Sequence, residues 1–326
     1  MVLTKSQTQV NVTIHFTLLA ILIVTATSTY AHPKGSYKHQ PANQSVGIQH
    51  YAEFIIKEGK RIVQSNGIPK HAVGTFPNRG NPHTIKPQRH HYECTLSPKL
   101  AQSITPINRQ PFGIALNGVL FDPGTAEFFR GDHHSEWKLE AMTSKMARAL
   151  DANHAHVQPS GAYHYHGVPS GLISRLTEDS RSMVLIGWAA DGFPIYSFNG
   201  YKDSFDSNSP LVELRASYQI RKGNRPIRSN IPQGTYNGNY TLDWVYVAGS
   251  GDLDACNGRH GVTPEFPKGI YYYVITRDYP FIPRSFMGTP DPSFLNRRYP
   301  QNRMKVPFTS RDQAVSKMLQ LQPKEH

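Results

Sequence analysis

Apolar positions along this chain come in short runs, broken by glycine, proline, asparagine and aspartate. Residues 112–122, FGIALNGVLFD, set two apolar runs around Asn117-Gly118, a pair that favours a two-residue hairpin turn. Residues 55–63 fit a first short strand or a hairpin around Glu58-Gly59. Residues 183–190 read as a buried strand, followed by the turn Asp191-Gly192-Phe193-Pro194 and then Ile195-Tyr196. Residues 234–251 are strand and turn again. Residues 269–276 form a tyrosine-rich strand with Tyr271 and Tyr273 on one face. Helical spacing is brief. Trp137, Leu139 and Ala141 alternate, while Leu139, Met142, Met146 and Ala149 fit a helix, so residues 137–150 read as a strand running into a short helix. Residues 170–179 read as helix or loop. The fold class is therefore mainly β, a sandwich or distorted barrel with short helices and long proline-rich loops.

The two ends have a different character. Residues 16–24, FTLLAILIV, are uniformly apolar but fall short of the ~20 residues that span a bilayer. With Lys5 before it and Thr29-Tyr30-Ala31 after it, the segment reads as an export signal cleaved after Ala31; an uncleaved anchor is the competing reading. Cleavage there makes His32 the first residue, able to hold copper through its α-amine and ring, or simply one of several tail histidines with His39 and His50. The chain then divides into a signal at residues 1–31, a polar linker at 32–65, a domain at 66–294 and a basic tail at 295–326. In that tail Val315, Met318 and Leu319 suggest a weak amphipathic helix.

The most informative stretch is residues 153–167, NHAHVQPSGAYHYHG. Two His-x-His pairs flank Pro159-Ser160-Gly161. A strand presents alternate residues to one face. A three-residue loop with Gly161 in the left-handed position places His154 opposite His166 and His156 opposite His164. Cross-strand neighbours then lie about 5 Å apart at Cβ. A two-residue turn would instead put the pairs on opposite faces. Four neutral imidazoles on one face suit copper or zinc. The alternative is a polar ladder bonded to carboxylates, tyrosines or water. Asp191, at a strand end, is a candidate to orient a metal-bound histidine or act as a base, set against ordinary turn chemistry before Gly192. Asp132, His133, His134 and Glu136 form a further polar cluster that reads better as a surface loop.

Charge and cysteine content narrow the classes. The net charge is +12, but the positives are dispersed, with modest concentrations at residues 221–228 and 297–305. No zinc-finger, RNA-recognition or helix-turn-helix pattern accompanies them, so nucleic acid is not an expected partner. The two cysteines, Cys94 and Cys256, form no C-x-x-C pair. In an oxidising compartment they can pair, closing a long loop that stabilises by about 4–5 kcal/mol in the chain-entropy model; two separate thiols is the other reading. Residues 251–259, GDLDACNGR, carry Asp252 and Asp254, yet Cys256 and Asn257 break the calcium-loop pattern. Gly167-Val168-Pro169-Ser170-Gly171 places serine one position too late for a nucleophile elbow.

Taken together, FGIALNGVLFDPGTAE, NHAHVQPSGAYHYHG, IGWAADGFPIY, GDLDACNGR, TPEFPKGIYYYVIT and YPFIPRSFMGTPD resemble, in order, the blocks of the YHYH-domain family, from about residue 66 to residue 294. The resemblance implies an exported protein with a mainly β domain, and no named activity. The family's usual PRCF is Pro283-Arg284-Ser285-Phe286 here, which removes a partner for Cys256 that the resemblance would imply. Three functions follow as expectations. One is an exported copper- or zinc-binding carrier using His154, His156, His164 and His166. The second is a metal-dependent hydrolase or copper oxidase with Asp191 or a nearby glutamate as base, acting on a small molecule or glycan. The third is an extracellular adhesion or carbohydrate-binding module that presents Tyr271 and Tyr273. None requires a membrane span once the signal is removed.

Overall fold

The FGIALNGVLFD segment folds back on itself, with Gly113–Ala115 antiparallel to Leu120–Phe121. Its loop has three residues rather than two. The Ala115 N–H donates to the Val119 carbonyl at 2.8 Å, the Gly118 N–H donates to the Ala115 carbonyl at 2.8 Å, and Gly118 has φ 71°. Glycine takes that left-handed position without a Cβ penalty, which closes a type I turn with a bulge. In this computed structural model residues 39–295 are described; the signal segment, His32 and the tail helix lie outside them.

The hairpin sits inside an open eight-stranded sheet. The strands run in the order Gly258–Gly261, Ile270–Val274, Pro194–Tyr196, Leu185–Ala189, Gly113–Ala115, Leu120–Phe121, Tyr163–Tyr165 and Ala155–Val157. Leu120–Phe121 is parallel to Tyr163–Tyr165, and Pro194–Tyr196 is parallel to Ile270–Val274; the other neighbours are antiparallel. The expected mainly β fold is observed as a mixed sheet with few short helices and no closed barrel among the described residues.

A smaller sheet of Ala52–Lys57, Lys60–Ser65 and His90–Thr95 packs on this core through Val63 and Tyr92. Its first turn is Glu58-Gly59, both left-handed (φ 51° and 74°), as a two-residue hairpin turn of this twist requires. The folded chain therefore begins before Asn66. The Gln40 N–H donates to the Leu150 carbonyl at 3.1 Å, and Gln44 exchanges backbone bonds with Val73. The stretch read as linker is pinned because alternate apolar residues of its strands bury against the main core.

Short helical pieces fall where the mixed spacing places them. Lys138 and Leu139 make strand bridges, a 3₁₀ turn follows at Lys145–Ala149 with Ser144 accepting from the Met146 N–H, and Ser170–Leu176 is helical.

The core is unusually aromatic. Tyr271 and Tyr273 are 2% and 0% exposed, so they offer no contact surface, contrary to the adhesion reading. Each phenol buries its ring and sends its hydroxyl to an acceptor, Tyr271 to Asp254 at 3.0 Å and Tyr273 to Asp191 at 2.5 Å. Cys94 and Cys256 are buried and not joined by a disulfide. Cys94 lies beside Arg61 on the smaller sheet, and Cys256 belongs to the main core.

The basic concentration at residues 221–228 is not a bare cationic patch. Arg225 is buried against Asp243, with Nη2 donating to Oδ2 at 2.6 Å and Nε to Oδ1 at 2.7 Å. Removing one partner of such a pair leaves an uncompensated buried charge. Asp243→Ala is expected to destabilise the fold by about 3 kcal/mol in urea unfolding. Glu213→Ala, which breaks the exposed pair with Arg277, should change stability by less than about 1 kcal/mol.

Candidate metal centre

The histidine hairpin has the expected register. Ala155–Val157 pairs antiparallel with Tyr163–Tyr165, matching Ala155 to Tyr165, His156 to His164 and Val157 to Tyr163. The Gln158 N–H donates to the Ala162 carbonyl at 2.9 Å, the Gly161 N–H donates to the Gln158 carbonyl at 2.8 Å, and Gly161 has φ 89°. Pro159-Ser160-Gly161 is thus a three-residue loop closed by a left-handed glycine. Alternation along Tyr163–His166 then sends the tyrosines to one face and the histidines to the other.

The tyrosine face is a saturated polar network. The Tyr163 hydroxyl donates to Asp151 Oδ2 at 2.7 Å, and the same carboxylate accepts from the N–H groups of Gly74 and Asn153 at 2.9 and 2.8 Å. His71 Nδ1 donates to the Ala72 carbonyl at 2.8 Å, so its Nε2 accepts from the Tyr165 hydroxyl at 2.5 Å. Asn117 Nδ2 donates to the same hydroxyl at 2.9 Å. Burial pushes both phenols well above the usual tyrosine range, so they stay neutral donors.

The histidine face is the opposite case. His164 Nε2 and His166 Nε2 are 2.9 Å apart, and His166 Nε2 and His156 Nε2 are 3.1 Å apart. Ligand atoms of His156, His164 and His166 all lie within 4.8 Å of one another. A neutral imidazole nitrogen carries either a proton or an in-plane lone pair. The single Nε2 of His166 cannot donate and accept at once, so its two contacts cannot both be full hydrogen bonds. The buried Nδ1 atoms of His156 and His166 have no hydrogen-bond partner, while His164 Nδ1 is 3.3 Å from the Ala162 carbonyl. Burial, reinforced by mutual repulsion, holds His156 and His166 well below the usual histidine range. His164 is lowered by burial too, but Asp122 pulls it back up. Two metal–nitrogen bonds of about 2.0–2.1 Å put their nitrogens about 2.9 Å apart at a right angle and about 3.3–3.4 Å apart at the tetrahedral angle; the observed 2.9 and 3.1 Å lie toward the short end of that span.

Asp122 is the residue that sequence reasoning missed. It ends the FGIALNGVLFD block, beside the strand carrying the histidines, with its N–H donating to the Tyr165 carbonyl at 2.9 Å. Gln158 Nε2 donates to Oδ2 and the Gly124 N–H to Oδ1, both at 3.1 Å. Burial pushes its carboxyl above the usual aspartate range, while His164, the Gly124 N–H and Arg284 pull it back down. The adjacency of the two strands is a tertiary fact, so only the placement of this aspartate after an apolar strand was open to view.

Two expected site residues lie elsewhere. His154 is outside the cluster: the strand ends at Ala155, the His154 N–H closes a turn onto the Asp151 carbonyl at 2.9 Å, and φ becomes 53°. Strand alternation does not extend through a left-handed residue, so the ring points away, with Nδ1 donating to the Val168 carbonyl at 2.8 Å and the ring 4.8 Å from that of His39. Asp191 is buried and accepts from Tyr273, from the Gly288 N–H at 2.9 Å and from the Phe193 N–H at 3.4 Å. None of its hydrogen bonds reaches a histidine. Burial pushes it up to about 6, against the pull of these donors. It closes the turn before Gly192 and pins the core. Asp132, His133, His134 and Glu136 are exposed, with His133 edge-on to Phe128.

The lowered histidines set a pH window. His90, His154 and His260 fall to about 4 through burial, and His156 and His166 are also lowered. The unfolded chain therefore binds protons below about 6.5 that the folded chain refuses. Metal-free protein is expected to lose stability progressively from pH 6.5 down to pH 4, the five lowered histidines outweighing the opposite contribution of Asp191, which takes up its proton in the folded state near 6. Urea midpoints measured across that range check this; a flat profile would contradict the burial of these rings.

Neither the curated proteins nor the solved structures contain a significant match to the chain. The sequence profile described as YHYH protein matches residues 91–288, a span that holds the histidine hairpin, Asp122 and all eight strands of the large sheet. This chain belongs to the YHYH protein family.

Proposed function

We propose that this is an exported metal-binding protein in which His156, His164 and His166 hold one copper or zinc ion through Nε2. The observation that carries the reading is the convergence of three Nε2 atoms, two on buried rings and that of His156 on a half-buried one, at 2.9 and 3.1 Å, with no self-consistent hydrogen bonding among them. A bound cation takes up all three lone pairs and places the protons on Nδ1. That tautomer suits the 3.3 Å approach of His164 Nδ1 to the Ala162 carbonyl. The nitrogen-only donor set, without thiolate, is compatible with copper and zinc and with an oxidising compartment. The Tyr163–Asp151 and Tyr165–His71 bonds hold the hairpin so that the three rings need not be gathered on binding.

Export rests on the apolar segment at residues 16–24 and the small-residue site at Ala31. Among the described residues no helix is long and apolar enough to cross a membrane.

Three protein nitrogens leave a coordination position open, which suits ligand exchange in a carrier or a substrate in an enzyme. Zinc would supply Lewis acidity there and copper would supply redox chemistry. If the site is catalytic, Asp191 is poorly placed as its base, because its oxygens are committed to Tyr273 and the backbone of residues 193 and 288. The carboxylate that His164 feels is Asp122.

Loading with copper or zinc, followed by mass spectrometry of the desalted protein, should find one ion per chain. His156→Ala and His164→Ala are expected to weaken binding by at least about a hundredfold. His154→Ala should leave it within a few-fold of the parent. Stoichiometric metal retained in both His156→Ala and His164→Ala would overturn the assignment. Saturating metal at about 100 times the dissociation constant should raise stability by roughly 2.7 kcal/mol, and the two alanine variants should lose that increment.

A further inference from the structure

The left-handed turn at His154 that removes its ring from the metal cluster delivers it to a separate cavity of about 310 Å³. None of the three converging histidines lines this cavity. Its apolar wall includes Val168, Phe198 and Phe281, all less than a tenth exposed. The polar side carries Arg277, Ser170 and Ser174 beside His154. This is the composition of a small-molecule site: a half-open, largely apolar cleft with a few polar groups to one side. The volume is at the small end of such sites.

Arg277 decides the sign of the ligand. Its guanidinium sits over the Phe198 ring, 4.1 Å from the centroid, and its ion pair with Glu213 is long, at 3.4 Å, and half exposed. Such a pair is weak, so an incoming carboxylate can displace it and take a bidentate contact. Ser174 already donates to the Ser170 carbonyl at 3.0 Å, and His154 Nδ1 to the Val168 carbonyl. Arg277 is therefore the cation these groups surround. We propose that this cavity binds a small organic acid, its carboxylate on Arg277 and its apolar body against Phe198 and Phe281. The site goes beyond the metal reading and does not depend on it.

Benzoate is the probe, with benzyl alcohol as its neutral counterpart. Calorimetric titration of the full chain, treated with chelator, should show one benzoate bound per chain and benzyl alcohol at least about tenfold weaker. Arg277→Gln should weaken benzoate about tenfold. Ser174→Trp changes an exposed helical residue at the wall and should abolish binding by filling the space; its circular dichroism should match the parent. The double variant His156→Ala/His164→Ala should bind benzoate as the parent does, which separates this site from the metal centre. No heat with benzoate at millimolar concentration, or equal affinity for benzoate and benzyl alcohol, would overturn the proposal. So would unchanged binding in both Arg277→Gln and a folded Ser174→Trp.

Discussion

The structure around the site depends on the hydrogen bonds that Tyr163 and Tyr165 make beneath the hairpin. Asp151 is held by backbone donors from residue 153 and from Gly74, and it receives the Tyr163 hydroxyl. Tyr165 is fixed by His71 and Asn117, the second of which comes from the loop of the neighbouring hairpin. A buried phenol without an acceptor would incur the uncompensated desolvation penalty of its hydroxyl, of order 1–3 kcal/mol. With both phenols satisfied on one face, period-two alternation leaves the histidines no choice of face. The Tyr-His-Tyr-His string is thus one device with two sides, an anchor and a presentation surface.

The two sides differ in how far their polar groups are satisfied. On the tyrosine side nearly every buried donor and acceptor is matched. On the histidine side three rings are packed 4.7–4.8 Å apart between centroids, and two buried nitrogens lack partners. Burial alone does not explain such a cluster, because unpaired polar groups in a packed core are destabilising. Proteins accept that cost at functional sites, and a cation on the three Nε2 atoms would relieve the part of it that comes from their mutual crowding. The contrast between neighbouring faces of one strand gives the metal reading its physical content.

Placement of the hairpin also governs what surrounds it. It lies at the edge of the eight-stranded sheet, with Tyr163–Tyr165 parallel to Leu120–Phe121. This pairing brings Asp122 close enough for His164 to feel its charge. At the other end, the turn from Asp151 to His154 ends the strand and opens toward the separate cavity. One short ribbon therefore contributes to two chemically distinct regions, and the left-handed residue between them divides the roles.

Local rules of turn chemistry and strand period determined a good deal in advance. Pro159-Ser160-Gly161 specified the loop, and with it the cross-strand match of His156 to His164. Glu58-Gly59 specified another hairpin, the short strands marked a mainly β chain, and the ordered motif blocks pointed to the family. These features depend on neighbours in sequence. Where the outcome depended on contacts between distant segments, only the tertiary structure decided. Asn117-Gly118 became part of a three-residue loop, because Ala115 and Val119 are the residues that pair. His154 was excluded by a turn bonded to Asp151, Asp122 was admitted by a parallel neighbour, and Asp191 was claimed by Tyr273. Tyr271 and Tyr273 sat on a shared face, as alternation requires, yet the face was the core. Period two tells which residues share a side of a strand; what lies against that side is settled by packing between elements far apart in the chain.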